Sequence, residues 1–205
     1  QHVDIYNFEN GKVRETPITG GFPTEQYDRF RLDMPMAWSP DGNQLVTTIY
    51  DRDAEYLAWY NMEKGSVKFT RLNPALDRIL QISWSPNGEQ LVCSGLKMGQ
   101  IDLYRFIPGN NGFVQLTNDL NDDLFPVWSQ DGSRLYHAST RREVKKNPDA
   151  DERFDANETG FDIWALDMGD ESLTRVTHSP LYSEFPVGMT SSFELLMQSD
   201  QTGLL

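Results

Sequence analysis

The chain has 205 residues, with 18 Lys+Arg against 31 Asp+Glu and a formal net charge of −13. That balance argues against a nucleic-acid partner, because binding to phosphates rests on Lys and Arg that release counterions. No run approaches the roughly 18 apolar residues of a membrane-spanning helix, and a single cysteine, Cys93, excludes an intrachain disulfide while leaving the compartment open.

In chain order, residues 3–8 and 12–19 read as two strands joined by Asn10-Gly11, a hairpin signal. Residues 36–38 form a short apolar run that ends in Ser39-Pro40-Asp41-Gly42, where proline presets one turn angle and glycine accepts a positive φ. Residues 44–50, 56–60 and 67–72 are rich in β-branched and aromatic residues and read as three more strands. Four short strands joined by tight turns make one antiparallel blade. The same grammar returns at 81–84, 90–94, 101–106 and 113–117, and again at 125–128, 134–138, 161–166 and 172–177. In the third unit the connection between second and third strands is stretched into an insertion, 140–160. The chain closes with 185–188 and 194–200, which match only the first two strands of a unit.

The repeat itself is explicit. Trp-Ser-Pro-Asp-Gly at 38–42 returns as Trp-Ser-Pro-Asn-Gly at 84–88 and Trp-Ser-Gln-Asp-Gly at 128–132, spaced by 46 and 44 residues. A period near that length signals repeat architecture. The expected fold is therefore an all-β β-propeller of four-stranded antiparallel blades in one domain, 1–205. Its blades lie at 34–72, 81–117 and 125–177, with a split blade made of 185–200 and 3–19. Three whole blades and two terminal half blades give four if the halves close into a ring. A cut through a longer propeller leaves the same halves, and self-association through them would also hide the open sheet edges.

Several residues invite both a structural and a functional reading. Trp38, Trp84 and Trp128 occupy equivalent points, which predicts packing between blades rather than a ligand-stacking platform. Asp41, Asn87 and Asp131, with Gly42, Gly88 and Gly132, are turn formers, favoured over a metal role. Asp4, Asp102 and Asp162 precede each third strand and are expected to tie down neighbouring loops. Cys93, in an apolar run, reads as a buried small hydrophobe. His2, His137 and His178 are the only histidines, and no Gly-x-Ser-x-Gly elbow or HExxH helix appears, so no catalytic residue, metal or cofactor is expected. A Ser–His–Asp set is a matter of geometry. The insertion breaks the pseudo-symmetry on one face, and loops on such scaffolds carry recognition. Arg141, Arg142, Asp149, Asp151 and Phe154 are its candidate partner contacts. Its run at 147–152 resembles a calcium loop loosely but lacks the glycine and terminal glutamate spacing; a solvated loop without a partner is the plainer alternative.

The units resemble the TolB-type, WD-like β-propeller repeat of bacterial envelope proteins. The resemblance rests on Phe125-Pro126-Val127-Trp128; on Tyr50-Asp51-Arg52 and Ser199-Asp200-Gln201; on Asp4-Ile5-Tyr6, Asp102-Leu103-Tyr104 and Asp162-Ile163-Trp164; and on Leu116-Thr117 and Val176-Thr177. It covers nearly the whole chain outside 140–160. It implies a bacterial, exported, periplasmic protein without chemistry of its own, binding a protein or cell-envelope ligand. Similar repeats serve as accessory, substrate-gating propellers of prolyl-oligopeptidase-like and tricorn-like peptidases, which is the alternative. Gln1 in place of Met suggests processing or a chain boundary. Two departures stand out. Gly188-Met189-Thr190-Ser191-Ser192 replaces the pentapeptide, with Gly188 in the tryptophan position, which predicts a looser turn there. Nothing matches the N-terminal domain of TolB, so its partners do not carry over.

Overall fold

A computed structural model describes residues 2–19, 35–51, 54–72, 75–109, 112–141, 160–179 and 182–200. Three four-stranded antiparallel sheets stand between two two-stranded ones. The first half blade is β1 (His2–Asn7) with β2 (Lys12–Thr19). Blade one comprises β3 (Met36–Trp38), β4 (Gln44–Asp51), β5 (Ala54–Asn61) and β6 (Ser66–Arg71). Blade two comprises β7 (Arg78–Trp84), β8 (Leu91–Lys97), β9 (Gln100–Phe106) and β10 (Phe113–Gln115). Blade three comprises β11 (Asp123–Trp128), β12 (Arg134–Ser139), β13 (Asp162–Asp167) and β14 (Leu173–Arg175). The last half blade is β15 (Glu184–Met189) with β16 (Leu195–Ser199). In each whole blade the strands neighbour one another in sequence order, as a meander must.

The repeated pentapeptide builds the same turn three times. The Ser39, Ser85 and Ser129 hydroxyls donate to Asp41, Asn87 and Asp131 at 2.5, 2.7 and 2.7 Å. Each hydroxyl also accepts the amide that opens the next strand, from Gln44, Gln90 and Arg134. The glycine takes φ of 70, 71 and 72°, a left-handed conformation that costs other residues more. The turns also touch across blades: a Cβ on Gly88 would lie 3.6 Å from Pro40, and one on Gly132 3.7 Å from Pro86. Three hydrogen bonds from Ser129 and Ser133 hold the exposed Asp131 carboxyl down to about 2. A second recurring device ties the outer strands. Thr117 and Thr177 accept the amides of Leu103 and Ile163 at 2.9 Å. Asp102 accepts from Gln115 at 2.9 Å, and Asp162 from Arg175 and the Ser179 amide at 2.5 and 2.9 Å. The Asp…Leu-Thr pieces of the repeat are thus loop and edge fasteners.

The core lies between blades as much as within them. Val46, Leu57 and Trp59 of blade one pack with Trp84, Leu91 and Phe106 of blade two. Val92 and Leu103 of blade two pack with Trp128, Leu135 and Leu166 of blade three. Cys93 lies inside the first of these clusters, where burial pushes its thiol far above the usual range. Trp84 meets Trp59 edge-on at 6.0 Å, and the Trp128 indole donates to the Ser83 carbonyl at 3.4 Å. Each of these tryptophans therefore leans on the preceding blade.

Three expectations need correction. Trp38 does not pack like its equivalents: it is 45% exposed, against 8% for Trp84 and 5% for Trp128. The sheet before it, β1–β2, lacks the two inner strands on which the other tryptophans rest. At the other end, Met189 rather than Gly188 fills the tryptophan slot. Met189 pairs with Leu195 as Trp128 pairs with Leu135, and Glu184 with Ser199 as Asp123 with Ser139, with a one-residue bulge between the two pairs in both blades. The turn that follows is shorter, not looser: the Thr190 amide closes on the Glu194 carbonyl at 2.9 Å, and Phe193 sits at φ 64° in the glycine position. The two terminal half blades stand as expected, β1–β2 and β15–β16 as separate two-stranded sheets, and among the described residues they do not pair to close a four-bladed ring.

Candidate functional site

The pentapeptide turns open the second strand of each blade, and the insertion leaves from that strand's far end. The two features therefore lie at opposite ends of blade three. The last rung of the β12–β13 pair is Ser139 opposite Asp162, so the insertion departs and returns at one rung. Its structure beyond Arg141 and before Gly160 lies outside the described residues, as do Arg142, Asp149, Asp151 and Phe154. Both stems are described.

On the departing stem, Arg141 turns inward. Its Nε donates to Asp119 at 3.1 Å, its Nη2 pairs with Asp119 and lies 3.4 Å from Asp123, and its guanidinium sits 5.3 Å from the centre of the Trp164 ring. Thr140 and Asp122 exchange two further hydrogen bonds, Thr140 accepting the Asp122 amide at 3.0 Å and donating its own amide to the Asp122 carbonyl at 3.2 Å. A planar guanidinium suits this place, because it can serve two carboxylates and an aromatic face together. On the returning stem, a Cβ on Gly160 would come within 2.4 Å of the Tyr182 carbonyl, so the chain passes where only glycine fits. The Phe161 amide donates to Ser183 at 3.3 Å, the Glu184 amide to the Phe161 carbonyl at 2.8 Å, and the Phe161 ring lies 5.5 Å from that of Phe185. Phe185 also meets Phe125 at 5.3 Å. The insertion is thereby fixed to blade three on one side and to β15 on the other.

Beneath Arg141 lies a sealed polar pair. His137 Nε2 stands 3.4 Å from Asp123 Oδ1, and both side chains are fully buried. Burial alone would raise the Asp123 carboxyl, but the adjoining His137, Ser139 and Arg141 outweigh it and hold it below the usual carboxylate range. Asp119 is likewise depressed: burial raises it, and hydrogen bonds from Arg141 and Asn121 more than offset that. Asp102, on blade two, is pushed up by burial and by the charge of Asp123 across the blade interface. Asp123, His137 and Ser139 bring the three side-chain types of a hydrolytic triad into one strand pair, yet all three have no exposure. No substrate atom can reach them as they stand. Among the described residues no cluster of three or more His, Cys, Asp or Glu could hold a metal ion.

Of the insertion residues singled out in the sequence, the structure thus places Arg141 in an anchoring position. Asp119, Asp123, His137, Trp164 and Gly160 carry the site without having been singled out for it. One signal was available. Asp123 aligns with Ile79, and His137 with Cys93, so polar residues stand where the neighbouring blade is apolar.

No family model and no curated protein matches the chain by sequence. Among solved structures it is similar to TolB from Acinetobacter baumannii at 16% identity and TM-score 0.56, over 83% of this chain and 41% of that one. It is similar to the β-propeller domain of the Trilobed protease from Pyrococcus furiosus, described as having an open velcro topology, at 14% identity and TM-score 0.54, over 90% and 50% of the two chains. A prolyl endopeptidase aligns at 11% identity and TM-score 0.58, over 82% of this chain and 24% of its own. The chain therefore spans half or less of each neighbour's length. At these identities the likeness shows the fold: a TolB-like β-propeller, present here as an open arc.

Proposed function

We propose that this chain is a non-enzymatic binding scaffold that docks a protein or cell-envelope ligand through the end of blade three from which residues 140–160 emerge. The observation that carries the reading is the doubly anchored stem. Arg141 is fastened to Asp119, Asp123 and Trp164, and Gly160 is wedged against Tyr182. Recognition loops work best on rigid elements, since a fixed stem reduces the ordering cost of binding. The resemblance of the repeats to TolB-type envelope propellers supports an exported, periplasmic setting. A surface of net charge −13 favours a partner segment with basic residues.

The test is site-specific photocrosslinking in a bacterial envelope extract. A photoreactive residue at Asp149 should label a discrete partner, competed by unlabelled chain and lost when the residues on either side of the probe, 142–148 and 150–159, are replaced by Gly-Ser segments of equal length. The same probe at Asp131, on the opposite end of the blade, should not. Equal labelling from both positions, or none from Asp149, would remove the proposal. One observation favours a second reading: prolyl endopeptidase and Trilobed protease propellers share the fold. An accessory, substrate-gating propeller would be indicated by a reading frame that continues into a hydrolase domain.

A further inference from the structure

The end of the arc from which the insertion emerges also holds two apolar side chains out into solvent. Met98 lies in the β8–β9 turn of blade two, the counterpart of the insertion, and Leu120 in the connection from β10 to β11. They are 91% and 96% exposed, more than any other large apolar side chain described between the two half blades. A lone exposed leucine or methionine is ordinary on a protein surface. This pair differs because the backbone beneath it is pinned.

Met98 holds φ 52°, a conformation that costs a residue with a side chain and persists where the surroundings impose it. Its amide donates to Asp77 Oδ2 at 2.7 Å. On the other side, Asp119 closes the Leu120 loop by accepting the Asn121 amide and the Asn121 side chain, each at 2.8 Å. The same carboxylate takes Arg141 from the insertion stem. Gln100 joins the two loops, its side-chain amide donating to the Asn121 carbonyl at 2.7 Å. The Met98 turn, the Leu120 loop and the insertion stem form one hydrogen-bonded unit. Its rim is acidic. Asp77, Asp119 and Asp122 flank the pair; Arg141 is already shared by Asp119 and Asp123, and Arg78 is drawn to Glu55 at 3.8 Å, so Lys97 stands against three carboxylates.

We propose that Met98 and Leu120 dock a peptide segment of a partner protein, one that carries apolar side chains flanked by Lys or Arg. Apolar anchors inside a polar rim are the anatomy of a docking surface, and anchors fixed in advance lower the ordering cost of binding. The acidic rim selects the occupant: it attracts basic flanks and repels anionic lipid headgroups. The proposal rests on the reading of this end as the binding end, and adds to it a second contact of stated chemistry beside the insertion.

The test pans a displayed library of short random peptides against the full chain. Enriched sequences should carry apolar residues flanked by Lys or Arg. A synthetic copy of one should bind roughly tenfold or more weakly to Met98→Ser and to Leu120→Ser, the loss expected for an interface anchor. Leu120→Met should keep the affinity, and so should Phe69→Ser, which removes a half-exposed ring from the outer strand of blade one. Circular dichroism spectra of all four variants should match that of the unmodified chain. Failure to enrich any peptide, enrichment of acidic ones, or equal affinity for Leu120→Ser overturns the inference. Binding to phosphatidylglycerol vesicles that is lost in Leu120→Ser would put a membrane in the place of the peptide and overturn it as well. Loss of the Asp149 crosslink with peptide binding intact removes the insertion reading alone, and the reverse result removes this inference alone.

Discussion

Blade three and the terminal half blades share one sequence grammar but differ in what surrounds them. In blade three, Trp128 finds Ser83, Val92 and Leu103 already in place on the neighbouring blade. At the start of the arc Trp38 opens an identical turn, with the same Ser39–Asp41 hydrogen bond, and faces solvent. The lesson is that a repeat residue's local job and its packing job are separable. The turn is complete within seven residues, whereas the burial of the tryptophan is supplied by the preceding unit. Repeat stability is accordingly a sum of intrinsic and interface terms.

That difference can be broken by substitution. Trp128→Ala should cost about 3–5 kcal/mol in denaturant unfolding, the usual range for an emptied aromatic core site. Trp38→Ala should cost about 1 kcal/mol or less, as exposed substitutions do. Equal costs would show that Trp38 is packed after all. Next in size is the insertion stem. Arg141→Met leaves Asp123 buried without its cation and should cost about 3 kcal/mol, and Gly160→Ala should cost about 1–3 kcal/mol through the clash with Tyr182. The corresponding change at a half-blade position, Gly188→Ala, meets open space and should be nearly silent.

Acid should sharpen the contrast between blades two and three. Asp119 and Asp123 have folded values below the ordinary carboxylate value of about 3.9. Their contribution is therefore present above that value and lost as pH falls through the folded ones. Asp102 is shifted the other way, so its penalty is present above its raised folded value and disappears below the unfolded one. Asp102→Asn should thus stabilise the protein at neutral pH and lose that advantage in acid, whereas Asp123→Asn should destabilise at neutral pH and become progressively less harmful. Stability curves of both variants against pH check the two signs. A small gain is expected at Phe193, where a bulky residue holds φ 64°; Phe193→Gly should gain about 0.5–1 kcal/mol by relief of that conformation, measured as a shift in Tm.

Much of this was legible in the chain itself. The Trp-Ser-Pro-Asp-Gly period marks the blades, because Ser39, Asp41 and Gly42 act through contacts within a few residues of one another. The Asp102 and Asp162 fasteners were legible for a similar reason. What could not be read depends on residues far apart in sequence. Met189 takes the tryptophan slot because the pairs Glu184–Ser199 and Met189–Leu195, with the same one-residue bulge as in β11, set the register of β15 against the Phe-Pro match. Arg141 turns inward because Asp119 and Asp123 arrive from the preceding loop and strand to meet it. Read as part of a basic pair with Arg142, it looked like a partner contact. His137 in a strand gave no hint that Asp123 would lie opposite it, since the pair is made by strand register rather than spacing.

Amide hydrogen exchange resolved by strand tests the open arc most directly. The outward-facing amides of β1 and β16 should exchange orders of magnitude faster than those of β12 and β13. Protection of β1 and β16 equal to that of β12 would mean that a single chain closes its own ring, and would contradict the account.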